Sequence, residues 1–307
     1  MEPDLDLSVK IAPGLTLANP VMTASGTFGY GTEFAGIFDI QRLGGIVCKG
    51  TTRLPRTGNP QPRIAETPCG MLNSIGLQNI GVKALIRDKA PIWAGWRVPV
   101  IVNIAGESIE DYVHLARELN GVPGVAGIEL NISCPNVSAG GIEFGVDAGL
   151  AARLTSAVKA VTTLPVIPKL TPNTGEIVRI ARAVADAGAD AICLINTLKG
   201  MAIDVFRRQP VLGNVSGGLS GPAIKPVALY MVYQVAAAVS VPVIGCGGIG
   251  TGVDAIEFVM AGASAVEVGS ATFADPCAPL RILNEIEAFM RRHGETSIRD
   301  LIGAARR

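Results

Sequence analysis

Short apolar runs alternate along the chain with longer segments in which apolar residues recur every three or four positions. The short runs predict buried parallel strands, and the longer segments predict amphipathic helices. The predicted strands are residues 21–25, 45–49, 100–104, 127–131, 166–169, 191–196, 243–245 and 265–268. The helices predicted between them include 109–119, 148–161, 176–187, 223–239 and 253–260. Strands joined in this way by helical crossovers predict an α/β fold, a single (β/α)8 TIM barrel that occupies residues 1–307 as one domain.

Two kinds of segment depart from this repeat. Residues 7–11 and 15–17 flank a Pro-Gly pair and predict an N-terminal β-hairpin that closes the bottom of the barrel. Residues 51–70 and 199–221 are longer than the usual βα connection of about two to six residues. We expect both to be extended loops at the carboxyl-terminal face, where they would act as lids or binding loops.

Composition narrows the range of functions. The 26 Lys and Arg residues balance 26 Asp and Glu residues, so nothing in the net charge favours a nucleic-acid partner. No apolar stretch reaches the roughly 18 residues that a membrane span requires. The acidic start of the chain does not resemble a signal peptide, so we expect a cytoplasmic protein. The six cysteines form no C-x-x-C pair, which predicts reduced thiols and neither a metal site nor a cluster on this chain.

Polar residues and glycines gather where the predicted strands end, whereas strand interiors such as 192–194 read as apolar or small. In a (β/α)8 barrel the chemistry lies at the carboxyl ends of the strands. The candidate residues at these ends are Ser25, Lys49, Gly50, Asn103, Asn131, Lys169, Asn196, Thr197, Gly247, Gly248, Gly269 and Ser270.

The glycines after the seventh and eighth strands stand where barrels commonly bind a phosphate through backbone N–H groups. Tight turns are the alternative explanation for them.

Lys49 and Lys169 follow apolar runs, where an ammonium group is costly unless an anion compensates it. The alternative is that each lysine packs its stem on the rim and keeps its charge in water. The three asparagines suit a flat ligand with both C=O and N–H edges.

Cys134 differs in placement from the other cysteines. It lies in a loop after the fourth strand, beside Ser133 and Pro135, whereas a structural cysteine more often lies inside a strand, as predicted for Cys193. Neither histidine is placed to form a Cys–His dyad with it. Cys134 is therefore a candidate catalytic residue, with a buried packing role as the alternative.

Several motifs together resemble the class 1 dihydroorotate dehydrogenases, which are flavin-dependent (β/α)8 barrels of pyrimidine biosynthesis. The resemblance rests on Ala-Ser-Gly-Thr-Phe-Gly at 24–29, Lys-Gly-Thr-Thr at 49–52, Asn-Ser-Ile-Gly-Leu at 73–77, Glu-Leu-Asn-Ile-Ser-Cys-Pro-Asn at 129–136 and Pro-Lys-Leu-Thr-Pro-Asn at 168–173. Class 2 enzymes have Ser as the base and an N-terminal membrane-associated extension, unlike this chain. Segments 196–204 and 217–226 are similar to class 1B.

The resemblance implies a set of binding residues. Those expected to hold FMN are Ser25, Lys49, Gly50, Asn103, Asn131, Lys169, Ile195, Gly221, Gly247, Gly248, Gly269 and Ser270. Those expected to hold dihydroorotate are Lys49, Asn73, Ser74, Ile75, Gly76, Leu77, Asn131, Asn196 and Thr197.

The resemblance also implies the reaction, with Cys134 as general base at C5 and Lys49 among the catalytic residues while a hydride leaves C6 for FMN. Class 1B enzymes pass electrons to NAD+ through a separate subunit that carries FAD and a 2Fe-2S cluster, around a homodimer core of a heterotetramer. Three alternatives remain open. They are a class 1A enzyme that reduces fumarate, a pyrimidine-reducing domain like that of dihydropyrimidine dehydrogenase, and a non-catalytic barrel that binds a phosphorylated ligand.

Overall fold

The computed structural model describes residues 5–133, 135–136 and 142–306. The chain begins with an antiparallel hairpin, Val9–Ala12 and Leu15–Leu17, whose turn contains Gly14 at φ +76°. Leu17 is buried, and its Cδ2 lies 3.6 Å from where a Cβ on Gly45 would stand. Because Gly45 is the first residue of a barrel strand, the hairpin covers the amino-terminal end of the barrel, as the sequence predicts.

Eight parallel strands then form a closed barrel. Barrel strands 1 to 8 are, in chain order, Val21–Thr23, Gly45–Val47, Val100–Ile104, Gly127–Asn131, Val166–Leu170, Ile192–Leu194, Val243–Cys246 and Ala265–Val268. Barrel strand 8 closes the barrel by pairing with barrel strand 1, Val266 opposite Val21. The predicted (β/α)8 fold is confirmed, and three strands end two residues earlier than predicted, which leaves Ser25, Lys49 and Asn196 just beyond the ladder.

Helices surround the barrel and bury one face each. Their bounds are Val82–Asp88, Ala90–Trp93, Ile109–Leu119, Ala148–Lys159, Ile177–Asp186, Lys225–Ala236, Gly252–Ala261, Ala271–Ala274 and Ala278–His293. Ile177, Ile180 and Val184 are buried at helical spacing, as amphipathicity predicts. Thr251 and Asp254 form a capping box that fixes the start of the helix Gly252–Ala261. Within the described part of the chain, no helix combines the length and apolar character needed to cross a membrane.

The two long segments predicted as loops contribute strands to an additional sheet. Ile64–Thr67, Gly70–Asn73, Gly217–Ser220 and Leu198–Gly200 form four antiparallel strands, and we refer to them as the upper sheet. Two small strand pairs accompany it, Pro135–Asn136 with Ile142–Glu143 and Ile203–Asp204 with Gln209–Pro210. Short 3-10 helices occupy Ile40–Arg42, Phe144–Val146, Pro222–Ile224 and Ile298–Leu301. The central pairing, Gly70–Asn73 with Gly217–Ser220, joins segments more than 100 residues apart, and no local period in the sequence predicts such a pairing.

Candidate active site

A cavity of about 710 Å³ lies between the carboxyl ends of the barrel strands and the upper sheet. All but one of the predicted site residues line it. They are Ser25, Lys49, Gly50, Asn73, Ser74, Ile75, Gly76, Leu77, Asn103, Asn131, Lys169, Ile195, Asn196, Thr197, Gly221, Gly247, Gly248, Gly269 and Ser270. Cys134, the exception, lies outside the described residues. The structure therefore brings both predicted binding sets into one place.

Lys49 follows barrel strand 2 and is held by its backbone, since its N–H donates to Gly29 O at 2.8 Å. Its side chain is half-buried, and no carboxylate of the described residues lies within ion-pair distance of its ammonium group. Burial, and secondarily the charge of Arg63, lower the pKa of Lys49. A cation in this position, facing a cavity without a partner, can bind an anionic ligand group.

The three predicted asparagines line the same wall of the cavity. Asn103 is 1% exposed, and its Nδ2 donates to Glu129 Oε1 at 2.6 Å, while its Oδ1 has no partner among the described atoms. Asn196 Nδ2 donates to Asn131 Oδ1 at 3.2 Å and to Ser133 Oγ at 2.9 Å. These contacts fix the orientation of the amides, and Asn103 keeps a free acceptor for a ligand N–H group.

Two glycine-containing loops follow barrel strands 7 and 8, which lie opposite the strands of Asn103 and Asn131 in the barrel order. The N–H groups of Gly247, Gly248, Gly269 and Ser270 donate to no atom within the described ranges. Gly248 has φ +75°, and a Cβ there would lie 2.7 Å from the backbone N of Lys225. A side chain is therefore excluded, and unused backbone donors remain exposed to the cavity, as a phosphate group requires.

The predicted substrate-binding segment 73–77 is held by residues 56–63, which belong to the long segment 51–70. Asn59 Nδ2 donates to Ser74 Oγ at 3.0 Å, and the N–H of Ser74 donates to Arg63 O at 2.7 Å. Asn73 is the last residue of its strand in the upper sheet, and its Nδ2 donates to Gly218 O at 3.2 Å on the neighbouring strand. The two segments therefore form one rigid wall over the cavity.

Lys169, on barrel strand 5, lies at the floor of the cavity and is only 4% exposed. Its Nζ lies 2.5 Å from Glu267 Oε2, on barrel strand 8, and 3.6 Å from Glu129 Oε2, on barrel strand 4. Burial by itself lowers the pKa of Lys169, but the surrounding thiols and carboxylates raise it well above its ordinary value. Lys169 is therefore a fixed cation, and the alternative of a lysine whose head stays in water does not apply to it.

The expectation that strand interiors are apolar or small is wrong for two of the strands. Glu129 and Glu267 lie within barrel strands 4 and 8, and each is 1% exposed. A lone charged residue inside an apolar run was the available signal, since such a residue needs a buried partner. The sequence reading also did not assign Ser133, Asn173, Ser216 and Gly217, which line the cavity as well. Gly217 begins a strand of the upper sheet, and the loops that carry the other three have no periodic pattern.

These features define a class of protein. A (β/α)8 barrel with glycine loops after strands 7 and 8, and with lysines and amides around one cavity, is arranged as an enzyme for a phosphorylated ligand. The chain belongs to the dihydroorotate dehydrogenase family, whose model matches residues 6–290.

Three relatives show how similar the chain is to members of this family. A protein of Citrifermentans bemidjiense is 57% identical over 299 residues, which cover 97% of this chain and 98% of the relative. A protein of Geotalea uraniireducens is 56% identical with the same coverage, and one of Desulforudis audaxviator is 54% identical over 98% of this chain and 97% of the relative. Each is named the catalytic subunit of dihydroorotate dehydrogenase B (NAD+).

Proposed function

We propose that the chain oxidises (S)-dihydroorotate to orotate in de novo pyrimidine biosynthesis, as the catalytic subunit of an NAD+-linked enzyme in the cytoplasm. Family membership and the names of the relatives support the reaction class. The observation that carries the proposal is a cavity that combines three kinds of group: a lysine with no carboxylate partner among the described residues, oriented amides, and backbone N–H donors that those residues leave unused. A phosphorylated redox cofactor and a small anionic substrate together need these three kinds of group.

FMN fits the residues that line the cavity. The free N–H groups of Gly247, Gly248, Gly269 and Ser270 suit its phosphate, and the unpartnered Oδ1 of Asn103 suits an N–H edge of its ring. Lys169 would supply a fixed positive charge near the ring, and FMN, when bound, supplies a hydride acceptor. The remaining proposed contacts are Ser25, Lys49, Gly50, Asn131, Ile195 and Gly221, which line the same cavity.

Dihydroorotate carries a carboxylate and a cyclic ring with C=O and N–H edges. Lys49 would bind the carboxylate, since its ammonium group has no partner within the described ranges. Asn131, Asn196 and Thr197 would orient the ring edges from below, and residues 73–77 would cover the substrate and exclude water. The hydrogen bond between Asn131 and Asn196 fixes these amides before the substrate arrives, which lowers the entropic cost of orienting it.

Cys134 is proposed as the general base whose Sγ removes the proton from C5 while the hydride leaves C6. Cys134→Ala should leave a folded protein that binds FMN and is reduced by dihydroorotate about 10²- to 10⁴-fold more slowly, the usual contribution of a positioned base. Stopped-flow measurement of flavin bleaching tests this. Cys277→Ala, which alters a cysteine that does not line the cavity, should reduce its flavin at the wild-type rate. Equal rates in the two variants would exclude Cys134 as the base.

The electron acceptor is proposed to be NAD+, reached through a separate subunit with FAD and a 2Fe-2S cluster, in a heterotetramer around a homodimer of this chain. Pull-down from the native host, followed by absorbance and iron analysis, tests the assembly. Reoxidation of the dihydroorotate-reduced chain by fumarate, without a second subunit, would instead indicate a class 1A enzyme. Faster reduction by dihydrouracil than by dihydroorotate would contradict the proposed substrate.

A further inference from the structure

The floor of the cavity contains more carboxylates than its lysine neutralises. Glu129, Glu267 and Lys169 are all buried, and at full ionisation they would carry one uncompensated negative charge. Such a charge is costly at a buried position, so buried groups usually change protonation instead. The other groups facing these carboxylates are Asn103 and the thiols of Cys48, Cys193 and Cys246, and burial raises the pKa of all three thiols. The thiols therefore stay neutral, and the excess negative charge must be removed at a carboxylate.

The hydrogen bonds of the two glutamates also indicate that one proton is missing from the fully ionised cluster. Oε2 of Glu129 and Oε1 of Glu267 are buried and have no hydrogen-bond donor among the described atoms. A carboxylate oxygen of each residue also lies within 4.8 Å of one from the other. Two ionised carboxylates cannot hydrogen-bond each other, whereas one proton gives the pair the missing donor. Burial first, and then the charge of Glu267, raise the pKa of Glu129 to about 8.

We propose that Glu129 and Glu267 share one proton and together hold the Lys169 ammonium at the floor of the cavity, so that the three groups carry no net charge. Glu129 and Glu267 are then positioning residues, because they act on a ligand only through Lys169. The shared proton makes the charge of the floor dependent on pH. When the pH rises through about 8, the proton leaves and the cluster becomes negative.

A consequence for bound flavin rests on the proposed function. A neutral cluster leaves the Lys169 ammonium available to stabilise negative charge that accumulates on the ring during reduction. Loss of the shared proton would place a net negative charge at the floor of the cavity and would oppose reduction of a flavin bound there. The midpoint potential of bound FMN should therefore fall more steeply with pH above about 8 than below it.

The first experiment needs neither FMN nor a variant. Infrared spectroscopy of the full chain without cofactor, uniformly labelled with 13C-glutamate, should show a protonated carboxyl C=O band at pH 7 that moves with the label. The band should disappear as the pH is raised through about 8. Absence of a glutamate C=O band at pH 7 would overturn the proposal, whatever the chain binds.

The second experiment compares variants. Glu129→Gln and Glu267→Gln should each lose the C=O band, because the remaining carboxylate pairs with Lys169 and ionises. The FMN midpoint potential of each single variant should stay near the wild-type value at pH 7 without the steeper fall above pH 8. In the double variant no carboxylate compensates the Lys169 ammonium. The FMN midpoint potential of the double variant should therefore differ from the wild-type value by more than the sum of the two single-variant differences. Glu287→Gln, in a carboxylate paired with Arg291 on the outer helix, should keep the band.

These outcomes separate the two proposals. A C=O band retained in both single variants, or single shifts that add up to the double shift, would overturn the shared proton. A chain that shows the pH-dependent band but binds no FMN would support the shared proton and contradict the proposed flavin chemistry.

Discussion

Lys49 and Lys169, which both line the cavity, differ in their surroundings. Lys169 is almost fully buried between two carboxylates, whereas Lys49 is half-buried and has no carboxylate partner among the described residues. The pKa of Lys169 is accordingly raised and that of Lys49 lowered. From this difference we infer that the charge of Lys169 belongs to the folded barrel and that the charge of Lys49 is kept for a ligand.

The largest expected effect follows from removing Lys169. Lys169→Met would leave buried carboxylate charge uncompensated, which typically costs about 3–5 kcal/mol of stability. Urea denaturation measures the loss. The matched control is Lys159→Met, which breaks a more exposed pair with Asp190 and should cost no more than about 1 kcal/mol. Similar losses in the two variants would contradict a special role for the buried cluster.

Lys49→Met should affect catalysis and leave stability nearly unchanged. Stability should be unchanged or slightly higher, because an uncompensated half-buried charge is removed. The value of kcat/KM for dihydroorotate should fall about 10- to 100-fold, the expected loss of a charged hydrogen bond. Steady-state kinetics with the partner subunit or an artificial acceptor measure it. Lys83→Met, at an exposed position in the helix Val82–Asp88, is the control that should change neither quantity.

Gly248→Ala tests the rim of the cavity that is proposed to hold phosphate. The added Cβ would meet the Lys225 backbone at a φ of +75°, so FMN affinity should fall about tenfold through strain of roughly 1–2 kcal/mol. Fluorescence titration with FMN measures it. Gly294→Ala has a similar φ of +72° with no atom within 4 Å, and should keep wild-type affinity. Equal loss of FMN affinity in both variants would show that any left-handed glycine matters equally, and would contradict a specific role of Gly248 at the phosphate.

The smallest expected effect concerns pH. Because the pKa of Lys49 is lowered, its ammonium group loses its proton at a lower pH than an ordinary lysine. The KM for dihydroorotate should therefore rise severalfold toward the alkaline end of the range. In Lys49→Arg the guanidinium stays charged, so the rise should be absent even if KM is higher throughout. A pH profile of KM that is the same for both proteins would exclude Lys49 as the titrating group.

The barrel was predictable because each of its elements has a local signature. All eight strands and the five helices with clear periodicity occur within a few residues of their predicted bounds. The repeated Ala-Gly-Ala pattern at 187–189 and 261–263 is a local signature of the same kind, since its glycines end helices in the left-handed region, Gly188 at φ +95° and Gly262 at φ +119°. The pairing that joins the two halves of the upper sheet has no such signature, since Leu72 pairs with Leu219 across 147 residues of chain.

The sequence by itself determined the strand count, the closed barrel and the polar residues at the strand ends. Short apolar runs and the 3.6 residue period are local patterns, and their regular alternation is enough to indicate a barrel. It identified both lysines as candidate cations and could not tell them apart. Only the tertiary structure decided that strands 4 and 8 each bring a glutamate to Lys169 and that none reaches Lys49 within the described ranges. The charge state of a buried group depends on neighbours from distant strands, which no local pattern records.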